Sequence, residues 1–137
     1  MTYLMQQNML PKIFPTSKYF EISAGLITST EVGGDYYDFF QGKESLYIAV
    51  GDATGHGMTA GMMVSITKAG LYGTPQNIPP NEVSYILNRT IKAIDLGKNK
   101  MAISIARFWE NKIELTSAAM PPLYHYRAET REVDEIL

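Results

Sequence analysis

The sequence contains no cysteine. That absence removes disulfides, thiolate nucleophiles and zinc–thiolate sites together. Histidine is nearly as scarce: His56 and His125 are the only two, too few and too separated for a His-rich metal site. A metal bound here would be held by oxygen. A strong charge of one sign is lacking as well. Lys+Arg number 12 against 14 Asp+Glu, and a formal net charge of -2 gives no general attraction to nucleic acid or anionic membrane. No apolar run reaches the roughly 20 residues of a spanning helix, and no signal-peptide pattern opens the chain. A cytoplasmic protein is the expectation. Ser23, Ser65 and Ser117 have no histidine–acid partners at a telling spacing, which leaves a serine triad unsupported.

What is present suits one compact domain: 137 residues, 45% hydrophobic and 19% charged. Residues 2–10 carry apolar side chains at helical spacing and stop at Pro11, and 11–18 read as an extended connector. From Tyr19 the period becomes two, and Phe20, Ile22, Ala24 and Leu26 predict one face of a strand. A Thr-Ser-Thr-Glu turn at 28–31 follows. Residues 35–41 predict a second, aromatic-rich strand, and Gly42 and Lys43 a tight turn. Residues 45–50 are apolar on both faces, as in a buried central strand.

After Gly57, Met58, Met62, Ile66 and Ala69 form a helical stripe with Met63 and Thr67 beside it. Gly61, Ala69 and Gly70 would permit close packing, and Gly73 and Pro75 end the helix. A second helix begins near Pro80, with Val83, Ile86, Leu87, Ile91 and Ile94 on one face. Strands return at 101–109 and at Ile113, Leu115 and Ser117. Met120, Pro121 and Pro122 interrupt the sheet, Leu123, Tyr124 and Tyr126 resume it, and the tail ends in strand character. Strands, two helices, then strands predict a layered α+β (or mixed α/β) domain with the helices on the sheet.

Two glycine–aspartate runs, VGGDYYD at 32–38 and GDATGHG at 51–57, carry the chemistry. Asp52 alone could cap the turn and the helix behind it. Antiparallel pairing of the two flanking strands, however, sets the start of one beside the end of the other and brings Asp35 opposite Asp52. Two carboxylates that close repel unless a proton or cation sits between them. Hard oxygen donors suit Mg²⁺ or Mn²⁺, and neighbouring glycines leave room for carbonyls or water. Asp38 has the opposite parity and is read as an outer or structural residue. Tyr36, Tyr37, Phe39 and Phe40 are read as core. His56 could orient a water or phosphate oxygen or merely pack in the turn, and His125 is read as surface or strand packing. The run Gly55-His56-Gly57-Met58-Thr59-Ala60 fits the loose dinucleotide fingerprint. The preceding strands read as antiparallel neighbours, no ribose-binding acid follows, and no P-loop lysine is present.

Gln6-x-x-Met9-Leu10-Pro11, then Glu31 through Asp38, then Gly51 through Gly57, resemble the SpoIIE/RsbU-type bacterial branch of metal-dependent protein phosphatases. Ser117-Ala118-Ala119-Met120-Pro121-Pro122 is similar to that branch's Asn-Ala-Gly-(His/Met)-Pro-Pro motif. The resemblance implies a phosphatase 2C-like fold of antiparallel sheets flanked by helices. It also implies hydrolysis of phosphoserine or phosphothreonine with Mn²⁺ or Mg²⁺. Carried over by motif, Asp35 would bind one ion, Asp52 would bridge two, and the Ala53 carbonyl would complete the second position. The implied substrate is a phosphorylated anti-anti-sigma factor or similar STAS-domain protein.

Departures are also visible. The family's later Thr-Asp-Gly motif and final acidic pair do not occur before Leu137, and Ala119 and Met120 stand where Gly and His are more usual. Residues 1–11 are then the end of a regulatory linker helix, and 12–137 the first two-thirds of the phosphatase domain. One metal position would be nearly complete and its neighbour short of carboxylates. The alternative is a catalytically silent module that keeps the fold and binds a partner. An incomplete sheet would expose an edge and favour a homodimer or strand exchange.

Overall fold

A computed structural model describes residues 3–29 and 32–136. Positions 30 and 31, hence Glu31 and half of the expected 28–31 turn, lie outside the described residues, as do 1, 2 and 137. Helix α1 spans Tyr3–Met9, α2 Met58–Gly73 and α3 Pro80–Ile94. Strands β1 (Asp35–Gln41), β2 (Leu46–Ala53), β3 (Met101–Trp109) and β4 (Lys112–Ala118) form one antiparallel sheet in that order. Strands β5 (Leu123–Arg127) and β6 (Glu132–Ile136) make a separate two-stranded ribbon. The α+β architecture expected from the sequence is the one observed.

The core lies between the sheet and the two long helices. Tyr36, Tyr47, Ala49 and Ile105 on the sheet meet Met63, Val64, Leu71, Val83 and Leu87 from α2 and α3, all buried. Phe40 stacks on Tyr47 at 4.6 Å between ring centroids, and the Tyr47 hydroxyl donates to the Ile78 carbonyl at 2.7 Å. The β1–β2 connection is longer than a two-residue turn: Gly42 N–H closes it by donating to the Ser45 carbonyl at 2.7 Å.

Two expectations are corrected. No strand forms among residues 19–29, although Phe20, Ile22, Ala24 and Leu26 are less exposed than their neighbours. This segment lies across the outer face of the sheet, where Phe20 meets Phe108 at 5.2 Å. Period two reports burial on one side; a ladder also needs a strand edge alongside. In α2 the buried face is Ala60, Gly61, Met63, Val64, Thr67 and Leu71, while Met58, Met62 and Ala69 are exposed. The helix is apolar nearly all round, so the stripe with the bulkiest side chains was a poor guide. The inward face mixes the small Ala60 and Gly61 with Met63, Val64 and Leu71, and Gly70 allows close approach to α3, against Leu87.

Asp38 faces the helices and is fully buried. Its carboxylate accepts from the Tyr36 hydroxyl and the Lys68 ammonium, each at 2.5 Å, from Phe39 N–H at 2.8 Å, and from the Tyr72 hydroxyl at 3.2 Å. A buried charge survives when paired and hydrogen-bonded in this way. The network joins β1 to α2, which settles Asp38 as structural. Burial and then the Asp38 hydrogen bond push the Tyr36 phenol far up. Burial, followed by the Asp38 charge, pushes Tyr72 up to about 12.

A phenol whose value rises on folding keeps its proton longer in the folded chain than in the unfolded one. The stability it supports is whole below its ordinary value of 10.0 and is lost as pH rises toward about 12. Denaturant titrations should therefore show stability falling above pH 10.0, with a shallower fall in Tyr36→Phe. An equally steep fall in that variant would count against the network.

Candidate metal centre

Strand β2 is apolar until Val50 and then runs Gly51-Asp52-Ala53 at its end; β1 begins with Asp35. The antiparallel register makes Asp35 and Asp52 direct partners, and cross-strand partners share a sheet face. Both are exposed. Among the described residues neither carboxylate receives a hydrogen bond or an ion pair. Two acids therefore face each other with no partner among the described residues to offset their repulsion.

The backbone around them is closely fitted. Ala53 N–H donates to the Gly34 carbonyl at 3.0 Å, and Gly57 N–H to the Val32 carbonyl at 2.7 Å. A Cβ added at Gly34 would lie 2.1 Å from the Ala53 carbonyl oxygen, so only glycine fits there. Gly55 and Gly57 take φ of 82° and 75°, which turns the chain from β2 into α2. Thr54 exchanges two hydrogen bonds with Lys100, both at 2.9 Å, and so fixes the far side of the loop.

A cleft of ≈ 320 Å³ opens beside the pair, walled by Leu26, Tyr37, Val50, Met120 and Pro121. The Met-Pro-Pro segment is thus brought to the two aspartates from a distant part of the chain. His56 is exposed in the α2 entry turn. His125 is on the ribbon, where Nδ1 lies 3.9 Å from Asp134, which also pairs with Arg127. β2 has antiparallel neighbours on both sides, so the glycine fingerprint does not sit in a parallel dinucleotide-binding unit.

The donor set fits a hard divalent cation. Asp35 and Asp52 can supply carboxylate oxygens, and the glycine-cradled Ala53 carbonyl can supply a third; Mg²⁺ and Mn²⁺ take such oxygens and keep several waters. Among the described residues no group of three or more His, Asp or Glu converges. Gln6, quoted from the sequence only as part of the resemblance, was given no place at this site. Its side chain is 1% exposed and bonds Gly33. Gln6 is followed by the polar Gln7 and Asn8, so polarity alone did not single it out.

The profile of Stage II sporulation protein E (SpoIIE) matches residues 42–136, a stretch that includes Asp52 and Ala53 and begins after Asp35. Phosphoserine phosphatase RsbU of Bacillus subtilis (strain 168) is 29% identical over 125 residues, 89% of this chain and 37% of that protein. The chain thus spans little more than a third of that relative's length. The structure of the RsbU and RsbW domains of a Mycobacterium tuberculosis protein superposes with a TM-score of 0.64 at 20% identity, over 77% of this chain and 30% of that one. The SiaA-PP2C domain of Pseudomonas aeruginosa gives 0.65 at 18%, over 77% and 44%. Such likeness fixes the fold as phosphatase 2C-like.

Ala119, next to the cleft-lining Met120, has φ of 61°, a left-handed conformation that costs a non-glycine residue about 1 kcal/mol. Ala119→Gly should raise stability by roughly 0.5–1 kcal/mol in denaturant titration. A loss of that size would show that Ala119 is not strained.

Proposed function

This chain belongs to the Stage II sporulation protein E (SpoIIE) family, and from that premise we propose that it hydrolyses phosphoserine or phosphothreonine on a regulatory protein. The observation that carries the reading is the register pairing of Asp35 with Asp52 at an open sheet end, beside the Ala53 carbonyl. In this reading Asp35 would hold one Mn²⁺ or Mg²⁺, Asp52 would serve both ions of a pair, and the Ala53 carbonyl would complete the second position. Such ions, when bound, polarise phosphoryl oxygens and make water more acidic.

The chain's own residues concentrate negative charge where cations are needed and fix it by strand pairing. Leu26, Met120 and Pro121 narrow the approach to the pair. Hydrolysis forms a bond from a water oxygen to phosphorus as the bond to the serine or threonine oxygen breaks, and that oxygen regains a proton. No protein nucleophile is required, consistent with a sequence without cysteine or a serine triad.

The proposed substrate is a phosphorylated STAS-type anti-anti-sigma factor. Support comes from the RsbU relative, described as a phosphoserine phosphatase, and from the RsbW domain beside the RsbU domain in the Mycobacterium tuberculosis structure. A cytoplasmic site of action accords with the finding that no described helix is long and apolar enough to cross a membrane. Residues 1–11 are read as the end of a linker helix and 12–137 as the phosphatase domain. β4 closes the sheet without a further partner among the described residues, an edge that a second copy could pair. The donor count favours a second reading, a partner-binding module without turnover: two carboxylates and one carbonyl leave a two-ion site dependent on water.

The deciding assay is Mn²⁺-dependent release of phosphate from a phosphoserine-bearing STAS protein. Turnover is expected, reduced in Asp52→Asn by roughly 100-fold or more, beyond the loss of an outer-shell partner. A folded chain that binds the partner without turnover would favour the silent module.

A further inference from the structure

We propose that Gln6 is a positioning residue for the Asp35–Asp52 site: its side-chain amide clamps Gly33 and so fixes where Asp35 and the Ala53 carbonyl stand. The inference deepens the metal reading above and rests on it for its functional meaning, while the clamp itself is a matter of geometry.

Glutamine is mostly a surface residue, yet Gln6 is the one described residue of α1 that is buried, at 1% exposure. Tyr3, Leu4 and Met5 on the same helix are 49%, 68% and 55% exposed. The helix thus turns inward an amide in preference to its apolar side chains. Gln6 Nε2 donates to the Gly33 carbonyl at 2.8 Å, and Gly33 N–H donates to Gln6 Oε1 at 3.2 Å. Both polar groups of the side chain are matched to both backbone groups of one residue, as a neighbouring strand would match them.

The position of this contact explains its use. An antiparallel ladder alternates between residues that bond the neighbour and residues that face away. Gly34 accepts from Ala53 across the ladder, so the polar groups of Gly33 turn outward from β2 and meet Gln6. Val32, Gly33 and Gly34 are therefore held one after another. The first and third are tied to the GDATGHG loop, and the middle one to α1. The helix is anchored in turn by Leu10 in the core and by Ser65 Oγ donating to Met9 Sδ at 3.0 Å. An apolar residue at position 6 would fill the space and leave the Gly33 N–H and carbonyl without partners. Asp35 lies two residues beyond Gly33, with only Gly34 between.

The test is amide hydrogen exchange on the metal-free full chain, followed by Mn²⁺ titration, for wild type, Gln6→Ala, Gln6→Glu and the exposed control Leu4→Ala. In Gln6→Ala the Ala53 and Gly57 amides should exchange roughly tenfold faster or more, as expected when two buried hydrogen bonds are removed. The Ile105 amide in the sheet centre should keep its rate, and Leu4→Ala should change none of them. Gln6→Glu keeps the acceptor for Gly33 N–H and loses the donor, so its rates should fall between. Mn²⁺ affinity should follow the same order. If Gln6→Ala does not fold, the isosteric Gln6→Glu carries the comparison. Unchanged Ala53 and Gly57 rates, or an acceleration that extends equally to Ile105, would overturn the proposal. The local exchange pattern without Mn²⁺ uptake by wild type would support the clamp and refute the metal reading.

Discussion

The structure depends on the register between β1 and β2. Backbone hydrogen bonds set it, and every side chain follows from it with a period of two. A slip of one residue would move Asp35 to the helix-facing side and Asp38 to the outer side. The exposed acid would then be buried without Lys68, and the fully bonded acid would lose its partners. Register is therefore enforced twice, by the cost of burying Asp35 and by the network that Asp38 alone satisfies.

Other features hold that register at its open end, where strand pairing is weakest. Gly34 lets the Ala53 carbonyl approach, and no other residue could. Val32 bonds Gly57 across the two motifs. Gln6 occupies the edge that Gly33, just before β1, presents away from β2. On the helix side, Tyr36, Lys68 and Tyr72 converge on Asp38 and fix β1 against α2. The two aspartates can remain exposed and mutually repelling because the backbone that carries them is held from both sides.

Much of this was legible in the sequence. The glycine–aspartate runs flank a hairpin, so the opposition of Asp35 and Asp52 follows from antiparallel pairing, and the opposite parity of Asp38 follows with it. All three helices and all six observed strands fall close to where periodicity places them. The expected strand at Tyr19–Leu26 did not form, because alternation records one buried side and carries no information about a pairing edge. The buried face of α2 is turned away from the Met58–Met62 stripe and includes Met63 and Thr67 beside it, because apolar residues surround that helix and periodicity alone does not choose among its faces. Gln6 and the approach of Met120 to the aspartates are contacts between distant segments. Local pattern cannot encode them: Gln6 stands in a run of three amides, Gln6, Gln7 and Asn8, and only the fold distinguishes it.

The central claim, that Asp35 and Asp52 form a divalent-cation site, is tested most directly by calorimetric titration of the chain with Mn²⁺ beside Asp35→Asn and Asp52→Asn. The account predicts saturable binding to wild type, weakened in both variants and more strongly in Asp52→Asn, whose oxygens are assigned to both ions. Saturable binding that neither substitution weakens, or no binding by a folded wild-type chain, would contradict it and leave the facing aspartates without a ligand.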